Sequence, residues 1–205
     1  QKLLLPQQKI TYLVLNLKKE VLEYCITVKK VMKQPLIKLI NEEIYQSVET
    51  WGNGSIASGE DLNVRSVKVQ GFEEEDIGAS VSRRIIYNDL KRFTSTLNQE
   101  YQDKVCNFYS SNKNYFQFLY YDSKMKAHYE YHCDHFKENP RVLTILVGLN
   151  PAEEYVGGEL FVQNQEEGIK LDRGDAVVFP SNFMYPHRVS PVTKGQRKVL
   201  VIWTQ

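Results

Sequence analysis

The chain of 205 residues lacks any apolar run near the ~18 residues that a membrane-spanning helix needs, which excludes a helical integral membrane protein. It offers no signal peptide either, since the opening QKLLLPQQK is too short and wrongly flanked. Net charge is almost missing: 26 Lys and Arg against 25 Asp and Glu leave +1. So balanced a chain produces no long-range field, and without a phosphate-neutralising face nucleic acid is a disfavoured partner. Cysteine is scarce too. Cys25, Cys106 and Cys133 form an odd set without a CxxC pair, so neither a disulfide framework nor a thiolate zinc site is implied, and a reducing, cytoplasmic compartment is expected. There is no internal repeat, low-complexity tract or linker that would cut the chain in two.

What is present is an ordinary globular composition, 42% hydrophobic and 25% charged. Residues 10–17, ITYLVLNL, predict a buried strand, with a helix starting at Lys18-Lys19-Glu20. From Pro35, the residues Leu36, Ile37, Ile40, Ile44, Val48 and Trp51 recur at helical spacing until Gly52 and Gly54 end the pattern. A second stripe, Ile85, Ile86, Leu90, Phe93, Leu97, Tyr101, Val105 and Phe108, predicts an amphipathic helix over 82–108. Between the two lie Gly-rich stretches, 52–60 and 71–78, flanking a short strand at 63–70. These are either plain surface loops or segments that fold over a substrate. From Tyr115 onward, short runs at 116–121, 142–149, 159–162, 176–179 and 198–203 predict a sandwich or barrel. The expected fold is α+β with a mainly β core: one domain over 1–205, with a supporting helical and β region at 1–112 and the core at 113–205.

The stretch His128-Tyr-Glu-Tyr-His-Cys-Asp-His135 concentrates the chemistry. As a helix it would not give the H-E-x-x-H order of zinc proteases. As a strand it sends 128, 130, 132 and 134 to one side, where His132 and Asp134 converge and from which Cys133 points away. Two ligands cannot hold a metal tightly. His187, in Tyr-Pro-His-Arg-Val, would complete a two-histidine, one-carboxylate set with open coordination positions, although a lone strand histidine is more often a structural residue. Arg197 stands inside the alternating apolar run from Gly195 to Trp203. Burying an unpaired guanidinium costs several kcal/mol, so an inward Arg197 calls for a partner, and a dicarboxylic cosubstrate suits its planar fork. A solvent-facing Arg197 beside Lys198 is the alternative.

Over residues 117–205 the chain resembles the 2-oxoglutarate and iron(II)-dependent dioxygenases, most closely their prolyl 4-hydroxylase branch. The resemblance is carried, in one consistent order, by His132-x-Asp134, the strand from Arg141 to Asn150, Gly157-Gly158-Glu159-Leu160-Phe161, Asp172-Arg-Gly174-Asp175-Ala-Val-Val-Phe179, Pro186-His187 and Gly195-x-Arg197 with Trp203. It implies a double-stranded β-helix (jelly-roll) core flanked by N-terminal helices. It also implies iron(II) on His132, Asp134 and His187, 2-oxoglutarate on Arg197, dioxygen as the other cosubstrate and ascorbate as an optional reductant.

Tyr129 matches an aromatic position of the branch and Tyr121 a tyrosine that contacts the cosubstrate, though the Tyr121–His132 spacing is slightly long. Gly148 stands where some relatives carry a second such tyrosine. Thr144 and Trp203 line the pocket in similar enzymes, with core packing as the plainer reading. Arg65, Arg83 and Arg84 are candidates to reach a substrate, or solvated residues. The implied reaction is hydroxylation of a C–H bond, in this branch that of a prolyl residue in a protein or peptide, with succinate and carbon dioxide as coproducts. Alternatives are a non-prolyl substrate (a free amino acid, a lysyl side chain, a small metabolite or nucleic acid) or a non-catalytic jelly-roll module whose histidines are structural or hold zinc. The oligomeric state stays open.

Overall fold

The computed structural model describes residues 24–205 apart from 57, 106, 109, 112 and 139. The expected strand at 10–17 and the helix start at Lys18 lie outside the described residues. The first element is strand β1 (Ile26–Val28). Helix α1 (Gln34–Glu43) carries Pro35 in its first turn, where a missing N–H leaves no bond unmade, and buries Ile37 and Ile40. It does not run on to Trp51 as its spacing suggested. After Ile44 the chain tightens into 3-10 turns over Tyr45–Thr50, with Ser47 outside helical geometry. Tyr45 is the reason: its buried hydroxyl donates to the carbonyls of Leu119 and Val199, which ties this segment to two sheet strands.

Helix α2 (Val81–Lys104) starts at Ser80, whose side chain accepts from the Arg83 N–H, and it buries Ile86, Leu90, Thr94, Leu97 and Tyr101. Ile85 lies off this stripe and is 47% exposed. The helix ends at Lys104 rather than at 108, and Val105 and Phe108 pack on the core from beyond it.

Apart from short 3-10 turns at Glu74–Ile77, Ser123–Met125 and Ala152–Glu154, the remaining elements are strands: β2 (Gly52–Asn53), β3 (Arg65–Ser66), β4 (Lys68–Phe72), β5 (Asn114–Asp122), β6 (His128–His132), β7 (Leu143–Gly148), β8 (Tyr155–Val156), β9 (Leu160–Val162), β10 (Ala176–Pro180), β11 (His187–Val189) and β12 (Lys194–Thr204). Parts of the two Gly-rich stretches therefore belong to the sheet, in β2 and at the end of β4. The larger sheet runs β1-β10-β7-β12-β5-β4-β2 with β8 on β12, and the smaller runs β3-β6-β11-β9.

β12 shows how the layers form. Leu200 and Ile202 face the helices, while Val199, Val201 and Trp203 face the space between the sheets, as a two-residue period requires. The helix-side core joins Ile37, Ile40, Ile86 and Leu90 to Ile145 and Val147. The inter-sheet core joins Leu146, Val177, Phe179 and Val201 to Leu160 and Val189. Two antiparallel sheets facing each other, with helices on the outer face of the larger, make the expected double-stranded β-helix.

Candidate active site

The smaller sheet delivers both histidines. His187 of β11 pairs directly with His132 of β6, but the next pair is Val189 with Tyr129, so two steps on β11 meet three on β6. This β-bulge puts Tyr129 and His132 on the same side, where their rings stack 3.5 Å apart at 18°. It also corrects the expected alternation. His128 contacts the carbonyls of Lys126 and Asn63 through its two ring nitrogens, and Glu130 is exposed. β6 stops at His132, so Asp134 reaches the histidines from the loop that follows and not as a strand neighbour.

Nε2 of His132 lies 3.6 Å from Asp134 Oδ1, and Nε2 of His187 lies 3.3 Å from Oδ2. The three ligand atoms of the cluster fall within 4.8 Å of one another, and Cys133 is not among them. Each imidazole is turned by its other nitrogen: Nδ1 of His132 is 2.8 Å from the Glu130 carbonyl and Nδ1 of His187 is 3.1 Å from that of Tyr185. A carbonyl accepts only, so Nδ1 carries the proton and Nε2 keeps its lone pair aimed at the cluster.

Burial, reinforced by His187, pushes His132 down to about 3 and so keeps it neutral. Burial works against charge on Asp134, yet its carboxyl is held well below the usual carboxylate range within this cluster. Thr144 on β7 donates to Asp134 Oδ2 at 2.7 Å and shares a 2.8 Å hydrogen bond with Ser181. Arg141 donates to the Asp134 backbone carbonyl at 3.2 Å while its guanidinium covers the Trp203 ring at 3.7 Å. Two imidazole nitrogens and one fixed carboxylate, with no thiolate, fit a ferrous ion with open positions.

A cavity of about 270 Å³ opens on this cluster, walled by Arg65, Gln117, Tyr121, Tyr129, Arg141, Thr144 and Trp203 among others. Ser55 and Ile56 bring the 52–60 stretch onto its wall, whereas no residue of 71–78 lines it. Arg65 on β3 is buried, donating to the Ser55 carbonyl at 2.7 Å and to Gln117 Oε1 at 3.0 Å, and it lies 4.6 Å from the Tyr129 ring. Arg83 and Arg84, on α2, are not part of the wall.

Arg197 sits opposite Tyr121 in the β12–β5 register and is 1% exposed. None of its three guanidinium nitrogens makes a hydrogen bond of good geometry among the described residues, although the hydroxyls of Tyr121 and Tyr155 lie beside them, and no carboxylate does. Its Cζ lies 4.9 Å from the ring of Tyr121. Tyr121 lines the cavity and Arg197 lies against it, so the cation is next to the cavity without being part of its wall. Gly148 leaves no room for a tyrosine: a Cβ there would lie 2.4 Å from the Asp172 carbonyl oxygen.

Sequence reasoning gave no role to Arg141, Ser181 or Gln117. A charge at the head of the mostly apolar run 142–149 was a usable signal for Arg141, related to the one that singled out Arg197 inside its own run. Ser181 and Gln117 carry no such mark.

Residues 116–205 match the model of the 2OG-Fe(II) oxygenase superfamily. The chain is 39% identical over 87 residues to a PKHD-type hydroxylase of Alteromonas mediterranea, a match covering 38% of each protein. It is 27% identical over 187 residues to a PKHD-type hydroxylase of Nitrosomonas europaea, covering 88% of this chain and 78% of that one. The segments shared with the Alteromonas, Psychrobacter and Idiomarina hydroxylases span 38%, 24% and 29% of those proteins.

Among solved structures, a prolyl hydroxylase from Trichoplax adhaerens in complex with a hypoxia inducible factor peptide fragment superposes with a TM-score of 0.71 at 18% identity, covering 97% of this chain and 91% of that one. A Pseudomonas putida prolyl-4-hydroxylase gives 0.71 at 16% identity, covering 94% and 98%. At such identities the likeness speaks for the fold. Over residues 116–205 the chain is similar to the 2OG-Fe(II) oxygenase superfamily, and its fold is that of the prolyl hydroxylases above.

Proposed function

We propose that the chain hydroxylates a prolyl residue of a polypeptide, with 2-oxoglutarate as cosubstrate and succinate and carbon dioxide as coproducts. The observation that carries this reading is the aim of two carbonyl-tethered imidazoles, through Nε2, at one buried carboxylate. His132, Asp134 and His187 would hold a ferrous ion, which supplies oxygen activation and C–H oxidation coupled to decarboxylation of the 2-oxo acid. Arg197 would take the distal carboxylate of 2-oxoglutarate, satisfying donors that otherwise have no well-formed hydrogen bond. Thr144 keeps the Asp134 carboxylate from rotating, Arg141 holds the Asp134 backbone carbonyl, and Tyr129 keeps the His132 ring in its plane. Apolar walls from Leu119, Leu146, Val189 and Val201 exclude water.

Cavity size supports a polymer that presents one small group. At about 270 Å³ it falls just below the roughly 300–1,000 Å³ of small-ligand sites, and it must admit the cosubstrate too. Most of the prime substrate must then lie outside, at a mouth where Phe136 is both wall and partly exposed surface.

The test is mass spectrometry of a proline-containing peptide library incubated with the protein, iron(II), 2-oxoglutarate and ascorbate. Gain of one oxygen on proline, with stoichiometric succinate, is expected. Oxygen placed on another residue type would overturn the prolyl assignment, and absence of any iron-dependent succinate would overturn the enzymatic reading.

A further inference from the structure

The Gly157-Gly158 pair holds two different glycines. Both have positive φ, +79° and +71°. At Gly157 a Cβ would lie 2.0 Å from the Pro191 carbonyl oxygen, so backbone crowding explains it. Gly158 meets side chains instead: a Cβ there would lie 2.8 Å from Arg197 Cδ, 2.9 Å from Val192 Cγ2 and 3.5 Å from Tyr155 Cε2.

The slot is rigid on its other sides. Tyr155 on β8 faces Gly195 in register, and its hydroxyl donates to the Leu171 carbonyl at 2.8 Å. Tyr155 and Val192 are both buried in the inter-sheet core. The space beside Gly158 is thus shared by the Arg197 stem, Val192 and Tyr155, while the guanidinium beyond the stem lies against the Tyr121 ring.

We propose that Gly158 is a positioning residue for the cosubstrate: by contributing no side chain it lets the Arg197 stem lie where its guanidinium meets the distal carboxylate of a 2-oxo diacid. This rests on the role given to Arg197 above. A methyl group at 158 must push Cδ aside, and losing one charge-assisted hydrogen bond to the distal carboxylate is worth roughly tenfold to a hundredfold in affinity.

The experiment uses zinc-loaded protein, which binds without turnover, and calorimetric titration with 2-oxoglutarate and with 2-oxobutyrate, which has the same 2-oxo acid head and no distal carboxylate. In the Gly158→Ala/Val192→Ala variant, where the Val192 clash is relieved, 2-oxoglutarate should bind about tenfold to a hundredfold more weakly, with 2-oxobutyrate within about twofold of the parent. Unchanged 2-oxoglutarate binding, or equal weakening of both ligands, overturns the proposal. If the parent itself shows no preference for 2-oxoglutarate, the role of Arg197 falls and this inference with it.

A second measurement covers a variant that folds poorly. Gly158→Ala should lower the melting temperature of the parent at least twice as much as it lowers that of Arg197→Ala, which has no Cδ to strike. Equal losses in the two backgrounds would assign the whole effect to backbone strain and the Val192 clash, and overturn the inference.

Discussion

Replacing Arg197 by Met should make the metal-free protein more stable and at the same time blind to 2-oxoglutarate. The guanidinium is 1% exposed and has only the hydroxyls of Tyr121 and Tyr155 beside it, with no well-formed hydrogen bond, so the ligand-free fold carries a buried cation without a carboxylate partner. Exchanging buried ionic groups for apolar residues of similar volume is commonly neutral or stabilising by about 1–4 kcal/mol. Against this stands the lost contact with the Tyr121 ring at 4.9 Å, a cation–π interaction worth about 1 kcal/mol. A net gain of roughly 2 kcal/mol remains, which for a chain of this length raises Tm by about 4–8 °C. Thermal unfolding followed by circular dichroism, with and without 2-oxoglutarate, reads both halves. The parent should gain about 2.7 kcal/mol at a hundredfold excess of ligand over its Kd, and the variant nothing. A variant that melts below the parent, or that 2-oxoglutarate stabilises as well as the parent, would refute the argument that Arg197 waits unpaired for a carboxylate.

Other substitutions separate the metal cluster from the fold. Asp134→Ala should abolish iron-dependent succinate formation while leaving the circular dichroism spectrum intact; an active, iron-loaded variant would remove this carboxylate from the set. Thr144→Val keeps the shape of the side chain but deletes the 2.7 Å hydrogen bond to Asp134, so iron affinity should fall about 10–100-fold by titration against a chelator, and unchanged affinity would show that the carboxylate needs no such support. Burial pushes the Cys25 thiol up to about 12, so at pH 8 it has almost no thiolate and should resist iodoacetamide until the protein unfolds. Rapid native alkylation at Cys25, located by peptide mass spectrometry, would contradict that burial.

The β half of the fold was legible because its strands are short apolar runs between Gly, Pro and Asn turns, and the period-two rule placed Val199, Val201 and Trp203 on one face. Arg197 stood out for the same physical reason, a charge at a position that the period sends inward. The helical half was read less well. A stripe of apolar residues cannot report that Tyr45 will leave the helix to satisfy its hydroxyl on two strand carbonyls. Nor can alternation foresee a bulge, since the extra residue in β6 is defined by its partner β11. His132 and Asp134 were therefore paired correctly on a mistaken geometry: the loop after His132, and not the strand, turns the carboxylate inward. Arg141 was quoted within a motif and given no task, because its contacts come from two other segments, the loop of Asp134 and Phe136 and the last strand with Trp203.

The cavity has a chemical bias that the metal cluster alone does not reveal. Nine buried side-chain nitrogen and oxygen atoms lack a hydrogen-bond partner among the described residues, and six of them are Arg65 Nε, Arg141 Nε, the three nitrogens of Arg197, and Trp203 Nε1. All six are N–H donors. Arg65, Arg141 and Trp203 line the cavity, and Arg197 lies against the Tyr121 wall. Unsatisfied buried donors each cost about 1–3 kcal/mol, which few proteins tolerate in numbers unless a ligand completes them. What completes donors is oxygen. A 2-oxo diacid brings carboxylate and keto oxygens to one end of such a space, and an extended peptide brings backbone carbonyls to its mouth. An inert jelly-roll module has no reason to hold a cluster of unmet donors around two imidazoles and a carboxylate. A site that must seize an oxygen-rich cosubstrate and then seat a peptide does.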